Sequence, residues 1–142
     1  MRTQQIFLII SFSIICAGDP VYLAEIKNIK SEEVKIRVGF DREQLEKTWG
    51  TDKSYINFLK LYPNWTNIPP AIDFDTVNLI KTFRLESGKS FPLSSGIGGY
   101  PDLSLIKFLM ILDKDSTLIE NKEQLEDAFN LKEGRHWIME IK

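Results

Sequence analysis

Leu103–Leu112 (LSLIKFLMIL) is the most hydrophobic stretch of this 142-residue chain after residue 18. Only Ser104 and Lys107 interrupt its apolar side chains, and Asp113-Lys114-Asp115 follows as a turn sequence. A short apolar run bounded by turn residues is typical of a strand that is buried inside a sheet. We therefore expect Leu103–Leu112 to be a central strand.

Shorter segments on both sides of this stretch also have strand character. Val34, Ile36 and Val38 alternate with Lys35 and Arg37, which is the pattern of a strand with one face in water. Four further segments have similar β character: Val21–Ile29, Leu79–Leu85, Ser90–Leu93 and Arg135–Lys142. With the shorter candidates they make seven or eight strands. We therefore predict a mainly β fold, an antiparallel two-layer sandwich (Ig-like or similar) with one or two short helices. An α+β fold is the alternative.

Two segments carry helix signals. Asp41 stands where a helix cap would, Gln44 follows three residues later, and Gly50 ends the segment after Trp49. Asn121 precedes Lys122–Phe129, in which Leu125, Ala128 and Phe129 share one helical face. The sequence Tyr55–Tyr62 (YINFLKLY) fits either a strand or one to two helical turns.

The amino terminus has the order of a secretory signal. Arg2 supplies positive charge, Ile6–Ile15 is an apolar run with two serines, and Cys16-Ala17-Gly18 supplies small residues. A run of about ten residues is too short to span a bilayer, which needs roughly 20. We predict a signal peptide over residues 1–18 and one β-rich globular domain over 19–142. Cleavage after Ala17 or Gly18 and lipidation of Cys16 are both open, and the position of Cys16 favours lipidation.

The location follows from this segment. A lipidated chain would sit in the cell envelope, on the periplasmic side or the cell surface, attached to the membrane through its acyl chains. A chain that is only cleaved would be secreted. Cys16 is the only cysteine, so the domain has no disulfide, cysteine nucleophile or cysteine-based zinc site.

Three stretches of the chain resemble those of a known group of proteins. They are PLSSGIGGYPDLSLIKFL (Pro92–Leu109), ILDKDSTLIENKEQLEDAF (Ile111–Phe129) and a terminal WIMEIK (Trp137–Lys142). With the short signal that ends in cysteine, the chain resembles small lipoproteins of Bacteroidetes bacteria. The resemblance implies an envelope location and a β-rich fold. It carries no activity, cofactor or catalytic residue to this chain. Ile15 departs from the usual lipoprotein pattern, in which a small residue precedes the cysteine.

Charge and motifs exclude several classes of function. The formal charge of −2 argues against nucleic acid and against docking on anionic lipid. The glycine-rich loop at residues 94–99 lacks the signatures of phosphate and dinucleotide loops, although it could form one wall of a binding surface. Asp113 and Asp115 lack the rest of a calcium loop, and His136 is a single histidine without a nucleophile elbow. We expect no metal, no cofactor and no catalytic residue.

Aromatic side chains are the candidates for binding. They concentrate in one stretch and recur beside the glycine-rich loop, at Trp49, Tyr55, Tyr62, Trp65 and Tyr100. Flat aromatic faces can stack on sugars or anchor a protein. The leading hypothesis is thus a non-catalytic binding or interaction module with a protein or glycan partner. The alternatives are a small envelope hydrolase using carboxylates such as Asp73, Asp75 or Asp102, and an inhibitor or immunity-like protein.

Overall fold

The structure, a computed structural model, describes residues 18–63 and 68–142. Most of the predicted signal segment, including Cys16, lies outside the described residues, and so does Trp65. The descriptions below concern the described residues alone.

The described chain forms nine strands and three helices. The strands are β1 (Tyr22–Asn28), β2 (Val34–Phe40), β3 (Ala71–Asp75), β4 (Ile80–Leu85), β5 (Ser90–Gly96), β6 (Ile106–Leu112), β7 (Thr117–Ile119), β8 (Leu131–Glu133) and β9 (His136–Ile141). The helices are α1 (Arg42–Trp49), α2 (Tyr55–Leu61) and α3 (Lys122–Ala128). None of these helices is long and apolar enough to cross a membrane.

The strands form two sheets, which confirms the mainly β, two-layer fold. One sheet has the order β5-β1-β9-β8 and the other the order β3-β4-β2-β6-β7. Two details differ from the expectation. The pair β1–β9 is parallel, so the sandwich is not wholly antiparallel, and there are three short helices instead of one or two.

The core lies between the two sheets. In β2 the alternate residues Val34, Ile36 and Val38 are buried, while Lys35 and Arg37 face solvent, as their period predicts. Phe83 of β4 and Phe91 of β5 meet across the layers, with their ring centroids 5.3 Å apart. Apolar side chains from both sheets thus form one continuous cluster.

The apolar stretch Leu103–Leu112 forms an interior strand that begins later than expected. β6 lies between β2 and β7 and starts at Ile106, because Asp102–Leu105 is occupied by a turn. In that turn the Asp102 carboxylate accepts a hydrogen bond from the Ser104 amide at 2.8 Å. The Phe108 ring of β6 covers Gly39 of β2, where an added Cβ would lie 2.1 Å from the ring.

Each helix packs at least one buried apolar residue into the core. The Asp41 carboxylate caps α1 by accepting from the Gln44 amide at 3.1 Å, as predicted. The ambiguous segment Tyr55–Tyr62 forms α2, whose Tyr55 and Leu59 are fully buried. Lys81 of β4 reaches the carboxyl end of α2 and donates to the Leu59 carbonyl at 2.7 Å.

The strand registers define two ends of the molecule. Tyr22 pairs with Gly96, and Phe40 pairs with Ile106, so the loop after β5 and the start of β6 lie where β1 begins. We call this the loop end. Lys27 pairs with Ser90 and Asn28 with Ile141 at the opposite end.

Candidate functional site

A cleft lies at the loop end of the described residues. It lies between loop 97–105, which joins β5 to β6, and helix α3. Its volume is about 690 Å³, and an adjoining hollow of about 440 Å³ extends it towards Trp137. The two share Tyr100, Pro101, Leu103, Lys122 and Glu126, and we treat them as one cleft.

Backbone contacts hold the loop that forms one wall. The Asp102 amide donates to the Ser95 carbonyl, and the Ser94 hydroxyl donates to the Asp102 carbonyl. Gly96 allows this approach, because an added Cβ would lie 2.5 Å from the Tyr100 carbonyl oxygen. Gly98 and Gly99 have φ values of 84° and 109°, which other residues rarely adopt. The glycine-rich stretch therefore lets Tyr100 stand at the mouth of the cleft.

Helix α3 forms the facing wall. The Asn121 side chain caps it by accepting from the Gln124 amide at 2.9 Å, as the sequence predicts. Leu125 and the following Phe129 are buried in the core. This leaves Lys122 and Glu126 along the rim, where their charged groups lie 3.6 Å apart in solvent.

The cleft has an apolar floor and a charged rim. The buried side chains of Ile106, Leu125 and Phe129 and the half-buried Leu103 lie at its base. Charged residues of both signs surround them: Asp41, Asp102, Lys107, Glu120, Lys122 and Glu126. Such a cleft is suited to bind a ligand whose apolar group is flanked by polar groups.

Trp137 closes the far side of the cleft. It is half-buried on β9, and the Lys132 ammonium lies 5.2 Å from its ring centroid. Its indole N–H is buried and finds no acceptor within the described residues. The sequence predicts only that Trp137 belongs to a strand, and its place in the cleft was not predicted.

The five candidate binding residues do not form one surface. Tyr100 lines the cleft and is 63% exposed. Tyr55 is fully buried, and its hydroxyl accepts from the Arg42 guanidinium at 2.8 Å. Including Tyr55 among the binding residues was therefore wrong, because its side of α2 packs into the core. Trp65 lies outside the described residues.

Trp49 and Tyr62 belong to an aromatic cluster packed against the core. Trp49 stacks on Phe58 with centroids 4.3 Å apart, and Phe58 lies 5.2 Å from Tyr62. Tyr62 also meets Phe40 edge-on at 5.6 Å. Burial raises the pKa of Tyr62 to about 12. Since these rings mainly contact one another, they stabilise the packing of α1 and α2, and neither Trp49 nor Tyr62 lines the cleft.

The carboxylates considered for a hydrolase lie in different parts of the fold. Asp73 and Asp75 lie on β3 at an edge of the five-stranded sheet, whereas Asp102 lies beside β5 of the four-stranded sheet. Asp75 accepts hydrogen bonds from the Asn78 and Val77 amides, and these bonds lower the pKa of its carboxyl. Only Asp102 lines the cleft. Across residues 18–63 and 68–142, no group of histidine and carboxylate side chains could hold a metal ion.

A polar cluster lies on the outer face of the four-stranded sheet. Glu25 accepts a hydrogen bond from the Ser90 hydroxyl, and its other oxygen lies 2.6 Å from Nδ1 of His136. Partial burial raises the pKa of Glu25, but the bonds from Ser90 and His136 outweigh it, so that this pKa lies below its usual value. Ser90 contacts the carboxylate instead of the imidazole, which is not the arrangement of a Ser-His-acid triad.

Comparison with known proteins gives no relative from which to transfer a function. No family model, no curated protein and no solved structure matches this chain.

Proposed function

We propose that this protein is a non-catalytic binding module of the cell envelope, exported by its amino-terminal signal and anchored through lipid on Cys16. Its binding surface is the cleft between loop 97–105 and α3. The observation that supports this most strongly is the combination of a wide cleft, an apolar floor and an exposed tyrosine at the mouth.

The anatomy of the cleft supports a binding role. Protein-binding surfaces commonly have an apolar centre, aromatic anchors and a polar rim. Leu103, Phe129 and Trp137 supply the apolar centre, and Tyr100 supplies an aromatic side chain that is free to make contact. Lys122 and Glu126 stand at the rim and can pair with charges of either sign.

The ligand that fits best is a short segment of another protein with one or two apolar side chains. A glycan site would use several flat rings with hydrogen-bonding groups beside them, but of the described rings in the cleft only Tyr100 is widely exposed. The buried floor is instead made of aliphatic and aromatic side chains without polar atoms, such as Ile106, Leu125 and Phe129. This environment favours insertion of an apolar side chain.

Three of the four carboxylates around the cleft have structural roles. Asp41 caps α1, Asp102 holds the turn before β6, and Glu126 pairs with Lys122. A general acid or nucleophile would need a partner group aligned with a common reaction point. The described cleft residues include no histidine or cysteine, and the proposal therefore assigns no catalytic step.

Site-specific photocrosslinking in living cells tests the proposal. A benzophenone amino acid replaces Glu126, which lines the cleft, or Asp127, the next residue of α3, which is exposed but does not line it. We expect position 126 to capture one discrete protein, and we expect Tyr100→Ala to reduce that capture several-fold without loss of the fold. Position 127 is the matched control.

The outcomes separate the competing explanations. Equal capture from positions 126 and 127, or capture that Tyr100→Ala does not change, would contradict a ligand site in the cleft. A crosslinked product whose mass is that of a glycan would replace the protein partner with a sugar. Release of the partner's enzymatic activity on Tyr100→Ala would identify the inhibitor role.

A further inference from the structure

The chain enters the domain at the same end as the cleft. β1 begins at Tyr22, which pairs with Gly96, so Val21 and Ile97 are the next residues on neighbouring segments. Both are apolar and exposed, Val21 by 45% and Ile97 by 64%. Together they form an exposed apolar pair at the loop end, which we call the apolar tip.

We propose that the apolar tip rests on the lipid bilayer and fixes the orientation of the anchored domain. This inference depends on the proposed lipid anchor at Cys16. The occupant of the tip is the lipid surface itself, and the tip acts in addition to the acyl chains of the anchor.

The length of chain before β1 supports this orientation. Cys16 and Tyr22 are six residues apart, a distance of at most about 20 Å when fully extended. β1 is itself about 20 Å long and runs away from the loop end. A domain anchored at Cys16 therefore keeps its loop end within reach of the membrane, while Ile29 at the far end of β1 can lie well away from it.

The chemistry of the tip fits the membrane interface. Exposed apolar side chains bind a bilayer by inserting at the boundary between the headgroups and the acyl chains. Ile97 and Val21 can place aliphatic groups at this boundary, and the positive-φ glycines Gly98 and Gly99 let the loop project. Asp19 and Asp102 nearby are acidic, so the contact depends on apolar insertion and not on attraction to anionic lipid.

Lipid photocrosslinking of the protein as it is processed in its native membrane tests the orientation. A benzophenone amino acid replaces Ile97, or replaces Ile29 as a matched exposed apolar control at the opposite end. The protein is reconstituted in vesicles of phosphatidylethanolamine and phosphatidylglycerol and irradiated. We expect several-fold more lipid adduct at position 97 than at position 29, detected as the mass of an attached phospholipid.

The same samples separate the orientation from the anchor. The mass of the amino-terminal peptide first reports whether Cys16 carries lipid. If Cys16 is lipidated and positions 97 and 29 give equal adduct, or neither gives any, the orientation is overturned while the anchored binding module stands. If Cys16 carries no lipid, both the anchor and the orientation fall, and capture of a partner at position 126 remains a separate result.

Discussion

At the scale of single residues, Asn28 is the buried polar group that ties the two sheets together. It lies at the end of β1 and is fully buried. Its side-chain amide donates to the carbonyls of Leu85 at 3.0 Å and Glu32 at 2.8 Å, and its carbonyl accepts from the Lys30 amide at 3.0 Å. Each of its hydrogen-bonding groups is therefore satisfied, as burial requires.

Asn28→Ala is expected to lower the free energy of unfolding by about 1–3 kcal/mol or more, because it leaves buried backbone groups without partners. Urea denaturation measures the change. Asn130→Ala is the control, since Asn130 is exposed, and it should have almost no effect. An equally small effect of Asn28→Ala would show that Asn28 does not hold the layers together.

The ionisation of Glu25 makes the stability of the fold depend on pH, in a direction that follows from its pKa. Because the hydrogen bonds of Ser90 and His136 hold the pKa of Glu25 below its usual value, its carboxylate stabilises the fold above that value and loses this effect as the pH falls through the folded-state pKa. We expect the wild type to exceed Glu25→Gln in stability at neutral pH, with the difference shrinking below about pH 4.5.

The measurement is thermal unfolding of the two proteins between pH 3 and pH 7. Ser90→Ala removes only one of the hydrogen bonds to Glu25. Its stability should therefore differ less from that of the wild type at neutral pH, and this difference should also shrink as the pH falls. A difference between wild type and Glu25→Gln that grows in acid would contradict this role of Glu25.

At the scale of secondary-structure elements, α2 depends on a lysine from the neighbouring sheet. Lys81 is 4% exposed, and its ammonium donates to the Leu59 and Tyr62 carbonyls at the carboxyl end of the helix. Burial lowers the pKa of Lys81. Helix carboxyl ends carry unpaired carbonyls and a partial negative charge, so a cation there is favourable.

Lys81→Met should release the end of α2, with a loss of about 1–3 kcal/mol from the unpaired carbonyls. Amide hydrogen exchange should accelerate in α2 and stay unchanged in α3. Lys60→Met is the matched control, because Lys60 lies on the exposed side of the same helix. Slower or unchanged exchange in α2 of the Lys81 variant would show that burying the charge costs more than its hydrogen bonds contribute.

The loop that carries Tyr100 depends on Gly96. A Cβ at position 96 would lie 2.5 Å from the Tyr100 carbonyl oxygen and 2.6 Å from the Asp102 amide nitrogen. Gly96→Ala should therefore displace the loop and reduce crosslinking from position 126, whereas Ser95→Ala should not. Retention of crosslinking in the Gly96 variant would mean that the position of the loop is unimportant for the ligand.

The elements could be predicted where local pattern decides them. Alternation in Val34–Val38 and the caps Asp41 and Asn121 each depend on neighbours in sequence, and each was confirmed. The parallel pairing of β1 with β9 could not be predicted, because alternation shows which face is buried and not which strand lies beside it. Likewise, aromatic spacing in α2 did not reveal that Tyr55 faces the core.

The cleft could be predicted only in part, for the same reason. The glycine-rich loop and Tyr100 were recognised from the sequence, and both lie in the cleft wall. Glu126 and Trp137 come from distant segments and carry no motif, and only the packing of α3 and β9 brings them beside the loop. Nothing in the local sequence marks such a meeting point.

At the scale of the whole molecule, the parallel pair joins the first and last strands in the middle of one sheet. β1 and β9 both start at the loop end, so the chain enters there and finishes at the opposite end. A domain that is tethered at its amino terminus thus presents its cleft near the tether. In our proposal the lipid anchor therefore also sets where the cleft meets its partner, close to the membrane.

The state of the mature amino terminus decides whether the domain is exported and anchored as we propose. We expect mass spectrometry of protein purified from its native envelope to find a chain that begins at Cys16, with the mass of attached acyl chains. An unmodified start at Asp19 would contradict the anchor, and an intact chain that retains Met1 would contradict processing of the predicted signal.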